Sequence, residues 1–150
     1  MKPQGGVPCW NPVLFRNRDG EVLLFYKTGH SPQTWRGYLK RSSDNGVTWG
    51  SPEHLGNGII GPAKNKPIQL DDGTILAGSS REKRNRVWHC MIEESIDNGK
   101  TWKTWGPIEY EGRIIQPSLY IDDNQRVRML ARSRSTYMVQ AIADSRGHEW

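Results

Sequence analysis

The 150 residues carry 21 Lys and Arg against 16 Asp and Glu, a net charge of +5, yet no basic run is long enough to serve as a nucleic-acid arm. No apolar stretch approaches a membrane span, and Met1 to Gly6 lacks the apolar segment of a secretion signal, which leaves the compartment open. Two cysteines, Cys9 and Cys90, have neither metal-site spacing nor partners enough for a disulfide framework, and both are expected as free thiols packed in strands.

In chain order, Trp10-Asn11-Pro12 opens a strand over 13–16, Asp19-Gly20 turns it, and Val22 to Tyr26 returns. Apolar runs joined by an Asp-Gly pair are a hairpin signal. The same pattern follows in Asn65-Lys66-Pro67, a strand over 68–70, Asp72-Gly73 and a strand over 74–78, and again in Gln116-Pro117, 118–121, Asp123-Asn124 and 127–131. After each hairpin a third strand is expected, over 35–41, 87–94 and 137–142. Short proline-bearing stretches near 51–55 and 103–110 suit an outer fourth strand, because proline is tolerated at a sheet edge. No segment has a capped helical period.

Each third strand runs into an eight-residue motif. Ser42, Asp44, Gly46 and Trp49 stand at the same spacing as Ser95, Asp97, Gly99 and Trp102, giving Ser-x-Asp-x-Gly-x-Thr-Trp twice. A worn copy at 143–150 keeps Gly147 and Trp150 but has Ser145 at the aspartate position. The closing tryptophans recur about every 50 residues, a period of propeller blades rather than helical arrays. An aspartate accepts hydrogen bonds from the amides of the turn that follows it, the glycine supplies positive φ, and the indole folds back over the loop. The chain is therefore an all-β β-propeller portion: one partial domain over 1–150, with four-stranded blade units over 9–60, 61–112 and 113–150, the last incomplete. A closed ring needs on the order of 200 residues or more. An open arc leaves sheet edges and apolar faces bare, which predicts self-association.

If the first strand of each unit starts at the mouth of the ring, the Asp-Gly turns and the eight-residue motifs lie at the opposite end. Asn11, Lys27, Lys64, Asn65, Lys66, Arg81, Glu82, Gln116, Arg132 and Arg134 then meet at the mouth, with Trp10, Tyr26 and Trp35 beside them. Arginine offers a planar fork to a carboxylate, lysine a point charge, and tryptophan a face for a sugar ring, so the candidate partner is an anionic glycan. Glu82 is the carboxylate of this set and the candidate catalytic residue. It either exchanges a proton with substrate or orients Arg132 or a lysine; the orienting role is favoured, because neighbouring cations should lower its pKa. Asn65 and Gln116 equally suit backbone hydrogen bonding, Trp10 and Trp35 equally suit packing between blades, and Lys83, Arg84 and Arg86 read as a solvated loop. The histidines share no spacing and read as incidental.

The eight-residue motif resembles the Asp-box, the BNR repeat of sialidases and related β-propellers. With Cys9 to Phe15, Gly61 to Ile68 and Ile115 to Ser118, the chain is similar to the sialidase-like BNR family along nearly its whole length, as three blades from the middle of a six-bladed ring. That resemblance implies an exo-α-sialidase-type glycosidase acting on an acidic or sialic-acid-like glycan, with no cofactor or metal, and with box aspartates that serve the turn. The family's first carboxylate-binding arginine lies in an Arg-Ile-Pro motif, which this chain lacks: the positions two before its prolines are Trp10, Asn65 and Ile115. Arg132 or Arg134 would supply one arginine of such a triad, while the nucleophile and the acid/base have no counterpart here. A non-catalytic carbohydrate-binding or scaffolding propeller is the alternative. A uronate lyase is the third reading, and would want a tyrosine or histidine base beside Lys66.

Overall fold

A computed structural model describes residues 6–82, 87–144 and 146–150. The expectations for Lys83, Arg84, Arg86 and Ser145 lie outside the described residues. Strands β1 (Cys9–Arg16), β2 (Val22–Thr28), β3 (Arg36–Ser42) and β4 (Glu53–His54) form one antiparallel sheet in chain order. β5 (Ile68–Gln69), β6 (Ile75–Glu82), β7 (Trp88–Ser95) and β8 (Lys103–Trp105) form the second, and β9 (Ile114–Ile121), β10 (Val127–Ser133) and β11 (Met138–Ile142) the third. These are three consecutive antiparallel blades, the third with three strands, as expected of a partial β-propeller.

Register fixes which residues share an end. Val22 faces Ser42 and Ile75 faces Ser95, so each box opens beside the hairpin turn of its own blade. Thr28 faces Arg36 and Glu82 faces Trp88 at the other end, the mouth. There β1 and β9 are each interrupted by a bulge at Asn11 (φ 45°) and Gln116 (φ 56°), so that Trp10 faces Lys27 and Ile115 faces Arg132. A bulge re-aims side chains at a strand end. The second blade departs from this pattern. β5 pairs only over Ile68 and Gln69, and Pro67 lies two positions further along its strand than Pro12 and Pro117 do. The prolines are therefore not structurally level, and Lys64 and Lys66 stand exposed on a bend before the strand.

Alternation along the strands builds two cores between the blades. Val13, Leu23, Phe25, Leu39, Leu55, Ile59 and Ile75 fill the space between the first and second sheets. Leu76, Cys90, Ile92, Ile114, Leu119, Val127 and Met129 fill that between the second and third. Neighbouring residues Ile75 and Leu76 thus serve different cores, as the two faces of one central sheet must. Box tryptophans join them: Trp102 meets Phe25 edge-on at 5.7 Å, and Trp150 packs on the second core. Blade contact is close enough at Gly78 that a Cβ there would sit 2.8 Å from the Pro117 carbonyl oxygen. Cys90 is buried and its thiol pushed up to about 12 by desolvation, whereas Cys9 is exposed, contrary to the expectation of two packed thiols.

The segment joining the first two blades runs buried between them, and a buried backbone must find hydrogen-bond partners. Glu93, with no exposed surface, accepts from the amides of Ile60 (3.1 Å) and Gly61 (2.6 Å). Lys27, equally buried, donates its Nζ to the Pro62 carbonyl, and Arg81 donates Nη2 to that of Gly58. The Ala63 amide donates to the Gly78 carbonyl at 2.8 Å, and Asn11 Nδ2 donates to the Ala63 carbonyl at 2.7 Å. Burial raises Glu93 to about 6 against the pull of the two amides, and lowers Lys27 to about 8 against the pull of Glu93.

Replacing Glu93 with Ala leaves two buried amides unpaired and is expected to cost about 3 kcal/mol of unfolding free energy, read by urea denaturation. Glu93 also sets a pH slope. Folded Glu93 holds its proton to a higher pH than the ordinary 4.5, so its contribution is fullest below that value and is lost as pH rises through about 6. Glu93→Gln should flatten the stability profile in that window.

Candidate functional site

The end opposite the mouth is built from Asp-box turns whose polar atoms are already occupied. Asp44 accepts from the Thr48 amide (2.8 and 3.0 Å), the Thr48 hydroxyl (2.5 Å) and the Ser42 hydroxyl (2.7 Å), while Ser42 Oγ in turn accepts from the Gly46 amide. Asp97 repeats this with Lys100, Thr101 and Ser95. Trp49 and Trp102 each donate their indole N–H to the carbonyl of the box glycine. The Thr48 bonds hold Asp44 down at about 2. In the worn box Asp144, one position early, accepts from the His148 amide at 2.9 Å, and Trp150 closes onto Gly147 as the others do. The shift of one residue hid this carboxylate from the motif.

Several arginines at this end are paired with carboxylates. Arg18 meets Asp71 (2.7 Å), Arg41 meets Glu21 (2.9 Å) and Glu53 (3.1 Å), and Asp122 takes both Arg126 and Arg128. His148 bonds Glu94 at 2.8 Å and stacks on Trp105, so it links the second and third blades and is not incidental.

The mouth is different. Arg132 and Arg134 are exposed, and two adjoining clefts meet along a ridge of Trp88, Arg134 and Ser135. One, of about 320 Å³, is lined by Arg132, Ser133 and Tyr137; the other, of about 420 Å³, by His89, Glu111 and Arg113. Among the described residues no carboxylate pairs with Arg113, Arg132 or Arg134, and one buried Nη1 of Arg113 lacks any partner. Arg113 and Glu111 went unnoticed in the sequence because they belong to the link between blades, which has no motif.

Glu82 ends β6 with its side chain half-buried. Desolvation raises its carboxyl above the usual range, and Arg132 opposes that rise without reversing it. The expected lowering by surrounding cations is thus corrected, since no cation forms an ion pair with Glu82 among the described residues. Lys27 is the second correction. It occupies the place that Arg132 has in the third blade, but its ammonium is turned into the blade interface and presents no charge at the mouth. Asn65 donates Nδ2 to the Gln116 (3.0 Å) and Pro117 (3.2 Å) carbonyls, and the Gln116 amide donates to Ser80 Oγ (2.7 Å), so Asn11, Asn65 and Gln116 fasten blades together. Trp35 stands beside Trp10, ring centroids 5.9 Å apart.

A family model for a BNR repeat-like domain matches residues 2–150. The chain belongs to the BNR repeat-like family. Among solved structures it is similar to a Hadza microbial sialidase, with TM-score 0.82 and 18% identity over 99% of this chain and 34% of that one. The sialidase of Trypanosoma rangeli in complex with sialic acid gives 0.73 and 14% over 95% and 27%, and an α-L-arabinofuranosidase of Fusarium graminearum 0.67 and 13% over 91% and 48%. At these identities the likeness establishes the fold. The chain spans about a third of the length of the Hadza sialidase and about a quarter of that of the trypanosomal one. No curated protein matches it.

If Arg132 acts on Glu82 through space, Arg132→Ala will raise the Glu82 pKa further, measured by carbon NMR titration of the side-chain carboxyl. An unchanged or lowered value would separate the two residues.

Proposed function

We propose that this BNR chain forms part of a glycoside hydrolase acting on an acidic, sialic-acid-like glycan. The observation that carries the reading is the contrast between the two ends of the blades: Arg18, Arg41, Arg126 and Arg128 are paired with carboxylates at the box end, whereas among the described residues Arg113, Arg132 and Arg134 have no carboxylate partner at the mouth, where Glu82 also lies. Unpaired guanidiniums lining a cleft favour a carboxylate ligand, because forked, charge-assisted hydrogen bonds give both strength and orientation. Arg132 and Arg134 are the anion-binding pair, Arg113 extends the positive surface into the adjoining cleft, and exposed Lys64 and Lys66 draw the anion toward the second blade.

Glu82 is the proton-exchanging group in this reading. Its carboxyl is already raised by burial, and a substrate carboxylate seated on Arg132 offsets a cation that holds it down. Anion binding therefore favours the protonated acid, which can donate to a departing glycosidic oxygen. The similarity to sialidase structures supports the substrate class as a proposal, since those proteins are the ones described as acting on or holding sialic acid.

The test is a hydrolysis screen of the full-length protein against a fluorogenic sialic acid glycoside and a panel of uronate glycosides. Glu82→Gln is expected to lower kcat by about 100-fold or more, and Arg132→Ala to lower kcat/KM by a similar factor. Folded protein that binds these sugars through Arg132 yet turns none of them over would be a carbohydrate-binding propeller, and the catalytic reading would fall.

A further inference from the structure

Between the second and third strands of the first blade, residues 29–35 form a tight loop around a single 3-10 turn, Pro32–Thr34. A Cβ on Gly29 would stand 2.7 Å from the Thr34 carbonyl oxygen, so only glycine fits there, at φ 146°. The loop fixes two indoles. Trp10 donates its N–H to the Gly29 carbonyl at 2.7 Å, and Trp35, which follows the turn, packs against it at 5.9 Å with the planes inclined by 43°. The same loop reaches across to the second blade, where Gln33 Nε2 donates to the backbone carbonyl of Glu82 at 3.0 Å. The indole pair is therefore tied to the strand end that carries the proposed proton-exchanging group.

Trp10 keeps 38% of its surface exposed, and Trp35 is half-buried. Trp10 is held by the Gly29 carbonyl and Trp35 by packing on Trp10, its own buried Nε1 having no hydrogen-bond partner among the described residues, and neither ring is a member of the described apolar clusters between the blades. Exposed tryptophans fixed in orientation are costly to leave in water and suit a flat apolar ligand face. Among the described residues no carboxylate or guanidinium bonds either ring, in contrast to the arginine clefts on the third blade.

We propose that Trp10 and Trp35 form a subsite for an uncharged pyranose ring, the aglycone-side sugar of the substrate, whose C–H face lies on the indoles while the acidic sugar occupies the arginine clefts. The inference rests on the glycosidase reading for the role of the bound sugar, but not for its binding. The full substrate is then an acidic sugar linked to a neutral one.

Binding and turnover test it separately. Saturation-transfer NMR with methyl β-galactopyranoside and methyl β-glucopyranoside on the full-length protein should show transfer to the ring C–H protons of at least one. Trp35→Ala should abolish that transfer, Trp35→Phe should keep it, and Arg132→Ala should leave it unchanged. Where turnover is found, Trp35→Ala should lower kcat/KM about tenfold for a sugar-linked substrate while leaving the methyl glycoside of the acidic sugar unaffected. Absence of transfer to both probes overturns the subsite, as does transfer that survives in Trp35→Ala. Failure of the hydrolase reading alone would appear as Trp35-dependent transfer without turnover.

Discussion

The buried backbone between the first two blades is the constraint on which the rest depends. Residues 59–63 lie buried where two sheets would otherwise meet side chain to side chain, and their amides and carbonyls form no strand ladder and are met one by one by groups of both blades. Glu93 takes two amides, Lys27 takes a carbonyl and Gly78 receives the amide of Ala63, while Arg81 holds the exposed Gly58 carbonyl just before them. Buried charges are an expensive way to satisfy a backbone. They are retained here at a junction that sets where the chain emerges, and it emerges as Lys64-Asn65-Lys66. The same groups anchor the end of β6, so the position of Glu82 at the mouth follows from the same junction.

Local chemistry was readable from the sequence, and neighbourhood was not. Hairpins, third strands and the Asp-box turns depend on residues a few positions apart, and their periods repeat. Which blade a strand face meets depends on residues far away in the chain. Lys27 and Arg132 show the difference: the same place in two blades, both cationic, both at the end of a second strand. One faces a linker with an unfilled carbonyl and is withdrawn from solvent; the other has no such acceptor and stays exposed. Proline alignment failed in the second blade for a related reason, because the bend that carries Lys64 and Lys66 replaces the bulge of the other two. Glu82 was misjudged because its neighbours were counted as charges while desolvation, which depends on packing, decided the sign.

Asp-boxes and arginine pairing together divide the molecule into a finished end and an unfinished one. At the box end the box aspartates have acceptors filled by turn amides, and Asp71, Glu21, Glu53 and Asp122 each take an arginine. At the mouth, donors predominate: among the described residues Arg113, Arg132 and Arg134 have no carboxylate partner, and Lys64 and Lys66 stand in solvent. A fold that can pair Asp122 with two arginines at one end has the means to neutralise charge locally. Three guanidiniums with no carboxylate partner among the described residues line the clefts at the other end. In the proposed reading, an anionic substrate bound at the mouth offsets that charge. Glu82 lies within the influence of that charge, so its proton affinity and the occupancy of the arginines are linked by the same electrostatics.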